Sequence, residues 1–528
     1  MIGLQAELAL LKETDGLEEC LAAGVLQEAD GGVAFRHELA RRAIEEAIDP
    51  ARRAELHASV LATLQQRPES DSARLAHHAE AAGDGVAVLE HARAAAKHAA
   101  ERGAHREAAA QYARALRFAD GLESAARAEL LGHHAYECHL TDQIDDALAA
   151  QKQALEHHRA IGDRLKEGEA LHWISLLEYL GAEIEESRQT AHEALVVLEQ
   201  LPPGRELARA YSHMAHQAQL GLDVEETVRW GERALSLAGE LGDQETVITT
   251  LTTIGIVEAT AGRGTAKLER SLALALDDGT DDQVARAYAA LVFRTVRSRD
   301  WAAADRWLAE AIPYATERDL DHWRTYLLGW RAQASLERGR WDDASADIHA
   351  SLLNPHAKLS RSWPLLSLAQ LRARRGDPDV WAVIDEATAL TEGDIGQKRV
   401  PIAIVRAEAA FLADDSGRAL AECGAVPVST LTDRWIAGKL AVWRRRAGGQ
   451  PQETGWLPEP YARELAGDHA GAAAAWKELQ CPYEAAMALA GSEDEHDLRR
   501  SHEMLLGLGA QPAAAIVARR LRERGARG

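Results

Sequence analysis

Residues 144–163 read IDDALAAQKQALEHHRAIGD, and residues 184–198 repeat the plan as IEESRQTAHEALVVL. In the first stretch Ala147 precedes the pair Ala154-Leu155 by seven residues, and in the second Ser187 precedes Ala194-Leu195 by the same step. Seven residues make about two helical turns, so both small residues lie on one face. A small side chain there lets a neighbouring helix approach closely, and the adjacent leucine fills the layer that results. Gly162-Asp163 then follows, a glycine to end one helix and an aspartate to cap the next.

The double register recurs along the chain. Equivalent pairs stand at Ala115-Leu116, Ala154-Leu155, Ala194-Leu195, Ala234-Leu235, Ala273-Leu274, Ala311-Ile312, Ser351-Leu352 and Ala389-Leu390, spaced 38 to 40 residues apart. The leading small residues are Ala108, Ala147, Ser187, Thr227, Ala266, Ala304, Ala344 and Ala382, with further Gly-Asp punctuation at Gly242-Asp243 and Gly376-Asp377. Each unit is thus a helix–turn–helix hairpin that cannot bury its own apolar face, and stacked neighbours bury it instead. The expected fold is all-α, a tetratricopeptide-like helical-hairpin solenoid with a period longer than the usual repeat of about 34 residues. HEAT-type units are the alternative reading. Helices are expected near 122–139, 144–160, 164–181, 184–199, 204–220, 224–240, 244–261, 265–277, 281–298, 301–316, 319–338, 341–353, 363–375 and 379–391.

Composition agrees. The 528 residues are 46% apolar but only 5% aromatic, and they carry a net charge of −23. Such a surface repels phosphate backbones and anionic lipid, so direct nucleic-acid binding by this chain is not expected. The arginines Arg519, Arg520, Arg522, Arg524 and Arg527 form one basic patch, read as a solvated helix end. Cys20, Cys138, Cys423 and Cys481 are scattered without a CxxC, which fits buried thiols in a reducing compartment. No membrane span and no signal peptide are expected, so the reading is cytoplasmic.

Residues 16–66 depart from the repeat. Gly16 to Gly24 reads as a short helix, and Val25–Glu28 and Val33–Phe35 flank Ala29-Asp30-Gly31-Gly32, a hairpin signature. A helix from His37 to Ile48 and another after Asp49-Pro50 complete what reads as a partial winged-helix segment, as though the chain began inside a domain. The expected organisation is residues 1–66 for that segment and 67–415 for the solenoid. A C-terminal helical capping region takes 416–528, with a loop near 448–460.

These residues resemble a known family. The string GLEECLAAGVL at 16–26, followed by FRHELARRA at 35–43, resembles the junction after the ATPase module of large ATP-binding LuxR-type transcriptional regulators. LAHHAEAAGD at 75–84 and CPYEAA at 481–486, with the RRLRERGARG ending, are similar to later parts of that family. The resemblance covers nearly the whole chain but only the middle of the family's architecture. It implies a sensor and regulatory arm that binds an inducer or a protein partner. The ATPase module and DNA-binding helix-turn-helix of such a parent would lie outside this chain, for no GxxxxGK[ST] phosphate loop is present and no helix-turn-helix follows Gly528. The resemblance also implies that His37, in a His37-Glu38-Leu39 context, touches the phosphates of ADP when an ATPase module is present. Without that module no cofactor is expected, ATP or ADP belonging to it alone.

Other chemistry has little anchor. Adjacent histidines at His77-His78, His133-His134 and His157-His158 point about 100° apart on a helix and do not chelate one metal from one face. No GxSxG elbow or oxyanion loop appears, so no catalytic residue is assigned and an enzyme is not expected. Tryptophans crowd residues 301–381, and Trp301 and Trp341 share a slot three residues before a small residue, which points to packing between repeats. Trp323 and Trp330 lie seven apart on a first helix and are the candidates for a ligand groove, with packing as the competing role. Two functional readings remain: a sensor arm of a LuxR-type regulator, or a free-standing scaffold for protein–protein interaction.

Overall fold

Helix follows helix because alanine, leucine, glutamate and arginine supply the sequence between short turns, and a computed structural model shows how the turns are made. It describes residues 5–7, 16–29, 32–67, 70–354, 358–391, 398–426, 431–450 and 455–525. These divide into two compact units, residues 1–137 and 138–528. Asp30 and Gly31 of the expected hairpin turn, residues 451–454 of the expected loop, and Arg527 lie outside the described residues. No described helix is long and apolar enough to cross a membrane.

In the first unit, β1 (Gln5–Glu7), β2 (Leu26–Ala29) and β3 (Gly32–Phe35) form an antiparallel sheet in the order β1-β3-β2. The pairing of β1 with β3, Gln5 opposite Ala34, was not foreseen, since three residues are too few to carry an alternating pattern. Around the sheet lie α1 (Leu17–Ala22) and α2 (Glu38–Ala47). Asp49 caps α3 (Pro50–Gln65), accepting from the Ala51 and Arg52 backbone N–H groups, with Pro50 in the first turn where its missing N–H costs nothing. Then come α4 (Ser72–Ala82), α5 (Gly85–Glu101), α6 (His105–Leu116) and α7 (Ser124–Leu140), the last crossing into the second unit. Cys20 is exposed, unlike the other three cysteines, which are buried as expected.

The second unit holds the hairpins: α8 (Ile144–Ile161), α9 (Arg164–Leu180), α10 (Ile184–Leu198), α11 (Arg205–Leu220), α12 (Val224–Leu241), α13 (Gln244–Thr260) and α14 (Ala266–Asp278). They continue through α15 (Asp281–Ser298), α16 (Trp301–Glu317), α17 (Asp321–Glu337), α18 (Trp341–Leu352), α19 (Ser362–Arg375), α20 (Val380–Ala389), α21 (Arg399–Leu412) and α22 (Ser416–Gly424). Every helix expected between 122 and 391 is present with its ends within two residues. Each first helix packs on the next first helix, from α9 on α11 to α19 on α21, and so lines an inner face.

Two positions set the packing. The small residue four after the helix N-cap and the one eleven after it are both buried in six copies: Ala108/Ala115, Ala147/Ala154, Ser187/Ala194, Thr227/Ala234, Ala304/Ala311 and Ala344/Ser351. Two copies were misread. Ala266 and Ala273 face solvent, and Leu268 and Ala275 are buried in their place, because α13 and α14 are joined by five residues, 261–265, instead of the usual two or three. Ala382 and Ala389 are likewise exposed, with Val383, Ile384 and Ala387 buried instead. There Gly376 ends α19 as expected, but the cap of the next helix passes from Asp377 to Asp379.

The turns share a second device. The residue directly before the N-cap adopts positive φ at Gly103, Asp142, Ala182, Leu222, Arg299, Gly339 and Asp414. Five of the seven are not glycine, and two of these, Asp142 and Arg299, put buried side chains to work, as described below.

The remaining helices are α23 (Arg434–Arg446), α24 (Glu459–Leu465), α25 (His469–Glu478), α26 (Pro482–Ala490), α27 (Glu495–Leu508) and α28 (Gln511–Glu523). Pro460, assigned to the loop, stands in the first turn of α24. The chain turns back here, so that α26 meets α17 and α28 meets α19 and α21. A Cβ on Gly339 would lie 2.8 Å from Pro482, so that turn needs glycine for space as well as for its φ of 75°. Trp301 and Trp341, expected to pack between repeats, also reach this layer: Trp301 Nε1 donates to the Leu479 carbonyl at 2.6 Å, and Trp341 lies 6.1 Å from the Tyr483 ring.

A buried ionic network joins the layer to the hairpins. Arg374 donates to Glu408 at 2.7 Å and to Glu484 at 3.4 Å. Arg446 binds Glu464 at 2.8 Å and approaches Glu484 at 3.7 Å. Lys439 and Arg299 both reach Glu337, at 2.9 and 3.3 Å. Four cations face four carboxylates, so the set is neutral, and burying them demands that balance.

The register correction is directly testable. Ala234→Leu overfills a closed layer and should cost about 1–3 kcal/mol, whereas Ala273→Leu points to solvent and should stay within about 0.5 kcal/mol of the parent. Denaturant unfolding followed by far-UV circular dichroism reads both; equal losses would refute the corrected register.

Candidate ligand cavity on the inner face

The inner face is curled until distant turns meet. Asp142, in the turn between α7 and α8, is 1% exposed, and its carboxylate accepts from His322 Nδ1 at 3.4 Å, Asn354 Nδ2 at 3.3 Å and Ser360 Oγ at 3.2 Å. Lys358 pairs with Asp145 at 2.5 Å across the same seam. Asn354 and Ser360, ahead of α19, are thereby held against the start of the array, 212 and 218 residues earlier in sequence.

Inside the curl is a cavity of about 160 Å³. Helical periodicity explains its lining. On α15, Asp282, Arg286, Ala289, Ala290 and Phe293 recur at steps of three and four and form one stripe. On α17, His322, Trp323 and Tyr326 do the same, while α9 gives Tyr179, α11 gives His216, and Trp363 and Lys398 close the wall. The apolar share comes from Leu176, Ile256, Phe293 and the indole rings, so the site has an aromatic body with a few convergent polar groups.

Two opposite charges sit one turn apart on α15. Asp282 Oδ1 accepts from Trp323 Nε1 at 2.6 Å and lies 3.7 Å from His139 Nε2. Burial pushes this carboxyl up, but the hydrogen bond and charge of His139, the bond from Trp323 and the charge of Arg286 reverse the shift and bring it down to about 2. Arg286 is less well provided. Its Nη2 donates to Thr253 Oγ1 at 3.0 Å, and among the described residues no carboxylate comes within 4.0 Å of it. Burial lowers its pKa, with Asp282 and Tyr179 opposing.

The histidines around Arg286 are neutral. Burial first, and then the Arg286 charge, brings His216 down to about 3. Burial and the charges of Arg209 and Arg286 bring His172 to about 4, and His213, 4.8 Å from it, is also held well below its ordinary value by burial. None of the adjacent histidine pairs contributes to the cavity. The pair at residues 77 and 78 splits, His77 exposed and His78 buried against His57 at 2.9 Å.

Of the residues singled out from sequence, Trp323 forms the cavity wall. Trp330 does not join it: it is 4% exposed, with ring centroids 4.8 Å from Trp363 at a 45° tilt and 5.1 Å from Phe293 edge to face, and it lines a neighbouring recess of about 70 Å³ with Arg297, Trp435 and Lys439. His37 is the exposed N-cap of α2, and its ring makes no capping hydrogen bond. Sequence reasoning missed Arg286, Asp282, His216 and His322, although charges recurring on the inner stripe of a first helix are a readable signal. One group of metal-ligand types occurs among the described residues, Asp494, His496 and Asp497, and it is a helix cap: Asp494 Oδ1 accepts from the backbone N–H of His496 at 2.7 Å and of Asp497 at 3.2 Å.

No family model matches the chain, and no curated protein matches it. Among solved structures it is similar to a Signal Transduction ATPase with Numerous Domains protein with a tetratricopeptide repeat sensor from Pyrococcus horikoshii. The identity is 12%, the match covers 74% of this chain and 60% of that one, and the TM-score is 0.33. The chain therefore spans less than two thirds of the length of that protein. It is also similar to the tetratricopeptide domain of P58(IPK), at 15% identity over 68% of this chain and 98% of that one, with a TM-score of 0.22.

The neutral histidines fix a pH response. Their native pKa values lie below the unfolded value, so between about pH 4 and 6.5 the unfolded chain binds more protons than the folded one and stability falls as pH falls. Each contributes on the order of 1 kcal/mol per pH unit within its window. The melting temperature should drop from pH 7 to pH 4.5, and His172→Gln with His216→Gln should flatten that slope; an unchanged slope would show that these rings are charged in the fold.

Proposed function

We propose that this chain is the sensor arm of a LuxR-type ATP-dependent transcriptional regulator, and that the cavity between α9, α11, α15, α17 and α19 is where an inducer binds. One observation carries the reading: a curled inner face encloses an aromatic cavity in which a half-buried cation, Arg286, has no carboxylate within 4.0 Å among the described residues. Stability alone gives little reason to keep such a group, since a partly desolvated charge without a paired carboxylate is costly. The sequence resemblance at residues 16–26, 35–43, 75–84 and 481–486 supports the regulatory context.

The mechanism is a population shift. A ligand in the cavity touches the six first helices from α9 to α19 at once and so favours the curled arrangement that the Asp142 seam closes. Ligand at a hundredfold excess over its dissociation constant adds about 2.7 kcal/mol to that state. In the parent, residues 1–66 form the winged-helix segment that passes the change to the ATPase module, where the exposed His37 meets the ADP phosphates. The DNA-binding helix-turn-helix reads out the result.

A small-molecule thermal-shift screen tests the sensing role. At least one compound class should raise the melting temperature by several degrees. Ala290→Leu, which fills the cavity without touching a charge, should abolish that shift while helical circular dichroism persists. Shifts that survive A290L would place binding elsewhere. A screen without hits, paired with capture of a peptide on the inner face, would favour the scaffold reading.

A further inference from the structure

We infer that the cavity takes a small monocarboxylate with an apolar or aromatic body, its carboxylate seated on Arg286. The inference rests on the sensing role proposed above and names the chemistry of the ligand.

The argument begins with unused hydrogen-bonding capacity. A guanidinium offers five N–H donors in a rigid fork matched to a carboxylate. Among the described residues Arg286 spends one, on Thr253, and it lines the open cavity. Asp282 does not neutralise it directly, because its Oδ1 is taken by Trp323 and His139 and no ion pair spans the turn between them. The neighbouring His216 ring makes no hydrogen bond to any described residue and stays neutral, so it adds a donor or acceptor without adding charge.

The charge of the ligand follows from the same stripe. Asp282 is an ionised carboxylate one helical turn from Arg286 and repels a second negative charge there, while the other cation of the wall, Lys398, lies over the Tyr179 ring, 5.7 Å from its centroid. A phosphate monoester brings nearly two charges and three acceptors to one fork, whereas a carboxylate brings one charge and two acceptors. The body of the ligand has matching walls: Phe293, Trp323, Tyr326 and Trp363 present ring faces and edges around the cavity, with Leu176 and Ile256 behind. Such a wall rewards a flat or aliphatic group of few atoms, in keeping with about 160 Å³ of room.

The experiment uses the full chain with phenylacetate and indole-3-acetate as probes, against phenylacetamide, indole-3-acetamide and phenyl phosphate. Binding is read by tryptophan fluorescence and thermal shift up to about 10 mM. The acids should bind at least tenfold more tightly than the amides and the phosphate. Arg286→Met should lose that preference, and Arg286→Lys should keep part of it. The unliganded R286M protein should melt at or above the parent temperature, because a residue held for ligand is not held for stability. Amides that bind as well as acids would overturn the carboxylate and leave the sensing cavity standing. Phosphate that binds best would overturn the single charge. No binding by any of the five would overturn both the ligand class and the sensing role. R286M unfolded without ligand would make Arg286 a structural residue and sink the inference by itself.

Discussion

The closeness with which neighbouring helices approach governs everything else in this protein. A side chain no larger than threonine, four and again eleven residues after the N-cap, brings the second helix of six hairpins against its neighbours. Because the first helices then stack on one another from α9 to α21, they build one continuous inner face. The turn at Asp142 there meets Asn354 and Ser360, and Leu359 and Ser360 form part of the cavity wall. Packing, curl and cavity are one chain of cause.

Most of that chain was legible in the sequence. The recurrence of Ala-Leu pairs at 38 to 40 residues located the helices to within two positions, since the pattern and the turns are both local properties. It failed where composition imitates register. Alanine is common on exposed helix faces too, so Ala266 and Ala273 kept the arithmetic while Leu268 and Ala275 did the packing. A five-residue turn shifts the true register by two, and counting alone does not reveal it.

The cavity was legible only in part. Trp323 was found because seven-residue spacing on a first helix marks an inner stripe, and Trp330 satisfied the same rule yet turned into the next recess. Spacing fixes direction around one helix but says nothing of where a neighbouring ring stands. Arg286 and Asp282 went unnoticed because opposite charges four apart usually describe a solvated helix face. What distinguishes them is their place on the wall of a cavity shared with α9, α11 and α17, which is a tertiary fact.

Repeat proteins commonly gain or lose units with little penalty, since each hairpin deals only with its neighbours. The ionic network withdraws that freedom from the second half of this chain. Glu337 comes from α17, Arg374 from α19, Glu408 from α21, Lys439 and Arg446 from α23, Glu464 from α24 and Glu484 from α26. Deleting any one of those hairpins strands an ion in the interior, so this region must be inherited whole. Before α15 the ionic network sets no such limit, and there it is the Asp142 seam that ties the repeat number to the cavity.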